Sequence, residues 1–121
     1  MVSPRDDGGP RLYVEVERYA PARDGEPPTG VIRAYGEVDM GTVAELKDCL
    51  DPSLWDDCAG VVLDATEVRF MDSTALSTLV VADRELGEEG VRFAIATEPR
   101  SQIEGLLEIT GLRKRIPASL D

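Results

Sequence analysis

The chain contains no histidine, and that absence removes a block of chemistry at once. Without imidazole there is no Ser–His or Cys–His nucleophile pair, no ready general base near neutral pH, and no histidine-bearing zinc site. Cysteine is scarce: Cys49 and Cys58 are the only two, too few to hold a tetrahedral metal alone. In a reducing compartment they are expected as packed thiols rather than a disulfide. Lysine is confined to Lys47 and Lys114, and 13 basic residues face 24 acidic ones for a formal net charge of −11. Phosphate neutralisation needs the opposite balance, so neither nucleic acid nor an anionic membrane surface is an expected partner. No apolar run approaches the ~18 residues a bilayer span requires. The opening Met1-Val2-Ser3-Pro4-Arg5-Asp6-Asp7 lacks the apolar centre of a secretory signal. A cytoplasmic location is the expectation.

What is present describes one globular domain: 121 residues, 42% hydrophobic and 31% charged. Residues 1–10 are polar and rich in Gly and Pro, a flexible leader before a domain spanning 11–121. Leu12, Val14 and Val16 alternate with Tyr13, Glu15 and Glu17, the period of a strand with one wet face. The Pro- and Gly-rich stretch 20–30 is a loop, and Val31 to Tyr35 is a second strand ending at Gly36, expected antiparallel to the first. Thr42 and Glu45 have capping-box spacing ahead of a helix with Val43, Leu46 and Leu50 inward, closed by Asp51-Pro52. A polar connection through Trp55, Asp56 and Asp57 leads to Val61-Val62-Leu63, a buried parallel strand. From Asp64 to Met71 the pattern is irregular, with Val68 and Phe70 turned inward. Asp72-Ser73-Thr74 then clusters helix-capping residues ahead of Leu76, Leu79, Val80 and Leu86. Gly90 ends that helix, Val91 to Ala96 is a strand, and Ile103, Leu106 and Leu107 mark a last helix capped by Gly111. Residues 113–116 are expected as a short final strand. This order gives an α/β fold: a mixed, mostly parallel sheet of four to five strands, an antiparallel N-terminal strand and three to four helices.

In open α/β sheets functional groups gather beyond the carboxyl ends of the parallel strands. Gly36-Glu37-Val38-Asp39 and the segment 64–73 occupy such positions, so Asp39 and the start of the Ser73 helix are expected at one edge. There Ser73 is either a phosphate position at a positive helix end or, with Asp72 and Thr74, simply a cap. The carboxylates elsewhere fall on outward helix positions and form a solvated face. No glycine-rich phosphate loop or activated nucleophile is present, so no catalytic residue, cofactor or metal is assigned.

Two stretches, Gly36-Glu37-Val38-Asp39 with Thr42 and Asp64 through Leu76, resemble the two signatures of the STAS domain, nearest to the bacterial anti-sigma factor antagonists. The Thr110-Gly111-Leu112 turn resembles a further landmark, and the likeness runs from about residue 11 to 116. The resemblance implies a partner-switching protein. Its unphosphorylated form binds an anti-sigma factor with serine-kinase activity, of the histidine-kinase-like ATPase type, and so releases the sigma factor. Phosphorylation at Ser73 switches binding off, and a phosphatase resets it. By motif position Ser73 is the acceptor, with Thr74 the competing hydroxyl. Asp39, Phe70, Met71, Asp72, Thr74, Ala75 and Leu76 form the docking face of a monomer or weak dimer. Where the family usually has Gly, this chain has Ala75, whose methyl is expected at that face.

Two other readings stay open. A STAS module without the phosphorylation switch would serve as a scaffold or complex subunit. A receiver-like phosphoacceptor would use Asp64, with Glu37 and Asp39 helping to hold Mg²⁺.

Overall fold

The structure, a computed structural model, describes residues 11–21 and 23–121; the leader expected over 1–10 lies outside the described residues. In chain order the elements are β1 (Leu12–Tyr19), β2 (Thr29–Val38), α1 (Val43–Cys49), a 3₁₀ turn (Pro52–Leu54), β3 (Gly60–Met71), α2 (Ser73–Glu88), β4 (Arg92–Ala96), α3 (Gln102–Ile109) and α4 (Leu112–Arg115). The four strands lie side by side in sequence order. β1 pairs with β2 antiparallel, as expected, while β2–β3 and β3–β4 are parallel.

Successive parallel strands in unreversed order place right-handed crossover helices on the same face, and α1 and α2 do pack against one another. Beneath them Ile32, Ala34, Val38, Leu63, Phe93 and Ile95 meet Leu46, Leu79, Leu86, Ile103 and Leu107 in one core. The opposite sheet face presents Tyr13, Arg33, Tyr35 and Asp64, all half-buried or exposed. Arg33 bonds Glu17 there at 2.8 Å, and the Tyr13 and Tyr35 rings lie 5.8 Å apart.

Several expectations change. β2 does not stop at Tyr35 but continues through Gly36 to Val38. Gly36 has φ +113°, and a Cβ there would lie 2.1 Å from the Arg11 carbonyl oxygen. Only glycine tolerates both, and the close approach lets Glu37 N–H donate to that oxygen at 3.0 Å. β3 likewise runs unbroken to Met71. Its register slips twice, between Arg33↔Asp64 and Tyr35↔Glu67 and again between Gly36↔Val68 and Glu37↔Phe70, and the second bulge reverses the alternation set by Val68. Phe70 is therefore 45% exposed, not tucked inward.

Residues 113–116 are not a strand. Gly111 at φ +82° starts the single-turn α4, which buries Leu112 and Ile116 together. Trp55, expected in a polar connection, is buried. Its indole donates to the Cys49 carbonyl at 2.7 Å, and Gly30 leaves it room, since a Cβ there would sit 2.4 Å from the ring. Val16, expected inward, is 54% exposed on the edge strand, where the helical layer no longer covers β1. Both cysteines are free thiols; burial pushes each above its usual pKa.

Beyond Ile116 the chain doubles back along β4. Ile95 N–H donates to the Pro117 carbonyl at 2.9 Å, Arg92 reaches the Leu120 carbonyl, and the Leu120 side chain packs at Gly60.

Candidate functional site

The carboxyl ends of β2 and β3 are held together by the pairing Val38↔Met71, which brings the β2–α1 loop beside the start of α2. Asp72 joins the two. Its Oδ1 accepts from Ala75 N–H at 2.9 Å, capping α2, and its Oδ2 accepts from Met40 N–H, also at 2.9 Å. One carboxylate thereby satisfies an orphan helix donor and a loop donor that would otherwise need water. In addition, Asp72 N–H donates to the Val38 carbonyl at 3.2 Å.

Asp39 heads the same loop. Its Oδ1 accepts from Gly41 N–H at 2.8 Å, and its carbonyl accepts from Thr42 and Val43 N–H, starting α1. The expected capping box is absent. Thr42 is buried and its hydroxyl turns back to donate to the Glu37 carbonyl at 2.8 Å while accepting from Asp39 N–H at 3.0 Å. The hydroxyl ties the loop to β2 instead of capping α1.

A residue outside both motifs completes the site. Arg11, at the head of β1, grips Asp39 with both terminal nitrogens, at 2.7 and 3.1 Å, and reaches Glu37 at 3.3 Å. Partial burial pushes the Asp39 carboxyl up, but the Gly41 amide, the Arg11 guanidinium and the Thr42 hydroxyl together outweigh it and hold the group below its usual range. The rim is therefore acidic with one cation folded into it. Arg11 gave no sequence signal because it lies 28 positions from Asp39; the antiparallel pairing of β1 with β2 was the only pointer to it.

Ser73 is the first residue of α2 and is exposed. Thr74 is half-buried and turns toward a groove between α1 and α2. Of the apolar residues expected at the docking face, Phe70 is exposed and Leu76 half-buried. Met71 and Ala75 are in the core. Ala75 is fully buried, so its methyl packs inward and does not stand at the docking face. In place of Met71, the loop residue Met40 supplies apolar surface, 79% exposed. Only its position after Asp39 hinted at this.

Asp64 stands apart. It lies mid-strand on the open sheet face, paired in register with Arg33 and bonded to Thr66 N–H at 3.0 Å. Glu37 is four residues further along β2, about 13 Å away at strand rise. Asp64, Glu37 and Asp39 do not converge on one ion, which removes the receiver-like reading. Among the described residues no group of three or more Cys, Asp or Glu side chains is placed to hold a metal ion. No helix among them is long and apolar enough to cross a membrane.

Residues 20–121 match the family model for the STAS domain. The anti-sigma-B factor antagonist of Staphylococcus aureus (strain NCTC 8325 / PS 47) is 32% identical over 82 residues, covering 68% of this chain and 75% of that protein. Among solved structures, an anti-sigma factor antagonist from Mycobacterium paratuberculosis aligns with a TM-score of 0.64 at 26% identity, covering 88% of this chain and 89% of that one. The anti-sigma factor antagonist SpoIIAA in its unphosphorylated form aligns at 0.62 with 19% identity, over 84% of this chain and 85% of that one. Its phosphorylated form, described as a Bacillus cell fate determinant, aligns at 0.57 with 19% identity, over 84% and 88%.

Proposed function

The chain belongs to the STAS domain family, and from that premise we propose that it is an anti-sigma factor antagonist switched by phosphorylation of Ser73. In its unmodified form it binds a kinase-type anti-sigma factor through the rim formed by the β2–α1 loop and the start of α2, freeing the sigma factor. The observation that carries this reading is the exposed hydroxyl of Ser73 on a rim braced by Asp72. The half-burial of Thr74 against the α1–α2 groove favours Ser73 as the acceptor. The antagonist names of the Staphylococcus and Mycobacterium relatives support the role itself.

The electrostatics explain how one modification decides binding. Phe70, near the end of β3, and Met40, in the β2–α1 loop, offer exposed apolar area. A phosphate on Ser73 adds about −1.5 to −2 charges beside Asp72, with Arg11 already committed to Asp39 and Glu37. Desolvating that dianion against a partner costs several kcal/mol unless it is paired, and about 3 kcal/mol is already more than a hundredfold in affinity. Because Asp72 fixes loop to helix, the change is one of charge and needs no rearrangement.

The test is incubation of the chain with the kinase-type anti-sigma factor, ATP and Mg²⁺, followed by intact mass and affinity measurement. A phosphoryl increment abolished by Ser73→Ala, with Ser73→Ala still binding and Ser73→Asp weakened, supports the switch. Equal affinity of wild type and Ser73→Asp refutes the electrostatic block. No increment at all leaves the protein an unmodified STAS scaffold, and an increment lost only in Thr74→Ala moves the acceptor.

A further inference from the structure

We infer that the groove between α1 and α2 is a docking site for a cationic amphipathic helix of a partner protein, whether or not Ser73 is modified. The groove measures about 640 Å³ and begins beside Thr74. Its apolar lining is Leu50 and Pro52, just past α1, with Val81 and Ala82 of α2. Leu50 and Ala82 are buried while Val81 keeps part of its surface open.

Charge identifies the occupant. Asp48 and Asp51 line one wall, Glu85, Glu88 and Glu89 the other, and Lys47 is the one basic residue in the lining. All five acidic residues are exposed. The ion pairs among the described residues are made by other carboxylates: Glu17, Glu37, Asp39, Asp57, Asp64 and Glu104. Facing walls of like charge repel one another, and a cation lying between them is attracted by both. An acidic or neutral segment gains nothing from that field. A helix laid in a groove anchors through apolar residues three and four apart. Here those anchors meet Leu50, Val81 and Ala82, while flanking Lys and Arg side chains reach the rims. A second copy of this chain, with its net charge of −11, is disfavoured, although the exposed Lys114-Arg115 turn makes it the competing occupant.

The experiment titrates the isotope-labelled full chain with an 18-residue helix-forming peptide carrying a leucine stripe flanked by Lys and Arg. Two controls accompany it: a scrambled isomer, and the same peptide with Glu at each basic position. Saturable amide shifts at Ser77, Thr78, Val81 and Ala82, with both controls at least about tenfold weaker, are expected. The double reversal Glu85→Lys/Glu88→Lys should weaken binding about tenfold, and Glu98→Lys/Glu108→Lys, away from the groove, less than twofold. Ser77→Trp, which fills the groove without altering charge, should abolish the shifts, and melting curves confirm that each variant is folded. The inference is overturned if the scrambled peptide binds equally, if the shifts map elsewhere, or if both reversals weaken binding alike. Groove-mediated self-association of the chain without peptide binding would overturn it too. None of these outcomes depends on phosphorylation, so failure here leaves the Ser73 reading standing, and the reverse.

Discussion

Replacing Asp72 dismantles two hydrogen bonds with one atom group, and the two can be separated. Asp72→Ala removes the N-cap of α2, worth about 1 kcal/mol, and the charge-assisted bond to Met40 N–H, worth about 1.5 kcal/mol. The expected loss is about 2–3 kcal/mol, a large share of the 5–15 kcal/mol typical of a domain. For a chain of this length it should lower the Tm by about 8–15 °C. Asp72→Ser keeps a capping oxygen for Ala75 N–H but has no second oxygen to span to Met40, so it should recover about 1 kcal/mol of the loss. Urea denaturation followed through the single, buried Trp55 measures both, and hydrogen exchange at the Met40 amide should speed up in both variants. A loss below about 0.5 kcal/mol in Asp72→Ala, or an Asp72→Ser variant as stable as wild type, would show that the carboxylate does not join loop to helix.

Glycine placement gives two opposed outcomes. Gly30→Ala should destabilise by about 1–3 kcal/mol because its methyl overlaps the rigid Trp55 ring at 2.4 Å. Gly87→Ala, in the last turn of α2 with nothing within 4 Å, should stabilise by about 0.5–1 kcal/mol; denaturant midpoints check both. Near the carboxyl end of β4, Arg113 grips Glu104 through Nε at 3.1 Å and bonds the Ile95 and Ile116 carbonyls. Its hydrogen bond is the main reason the Glu104 carboxyl is held below its usual value. The folded-state pKa is depressed, so this stabilisation is present above about pH 4.5 and fades as pH falls through the folded value. Glu104→Gln should therefore cost about 1–3 kcal/mol at pH 7, with the gap to wild type closing below pH 4.5. A gap that is constant with pH would sink that assignment.

The parts of this fold that were legible in the sequence are those where a local rule and the tertiary structure agree. Asp72-Ser73-Thr74 reads as a helix start because the cap is local, and Leu79 and Leu86 keep their inward spacing. Gly111 reads as a left-handed turn and is one. Misreadings arose where long-range pairing overrode local pattern. Asp64, Glu67 and Arg69 make β3 look broken because they lie on the wet face of the sheet, and two register slips hide the parity that turns Phe70 outward. Residues 113–116, three basic residues and Ile116, carry no period of their own, whereas Leu112 and Ile116 are four apart and bury as one helical turn. At the site, Asp39 and Ser73 could be placed together from adjacent parallel strands. Arg11 and Met40 could not, since neither belongs to a pattern that spacing reveals.

The return of residues 117–120 along β4 fixes where a handle can be attached. Arg92 and Gly60, which this segment touches, begin β4 and β3, whereas Ser73 lies two residues beyond Met71, the last residue of β3. Twelve strand residues separate the two poles by about 35 Å. A sensor surface or fluorophore coupled after Asp121 would hold the molecule by its opposite end, leaving the rim pointed into solution.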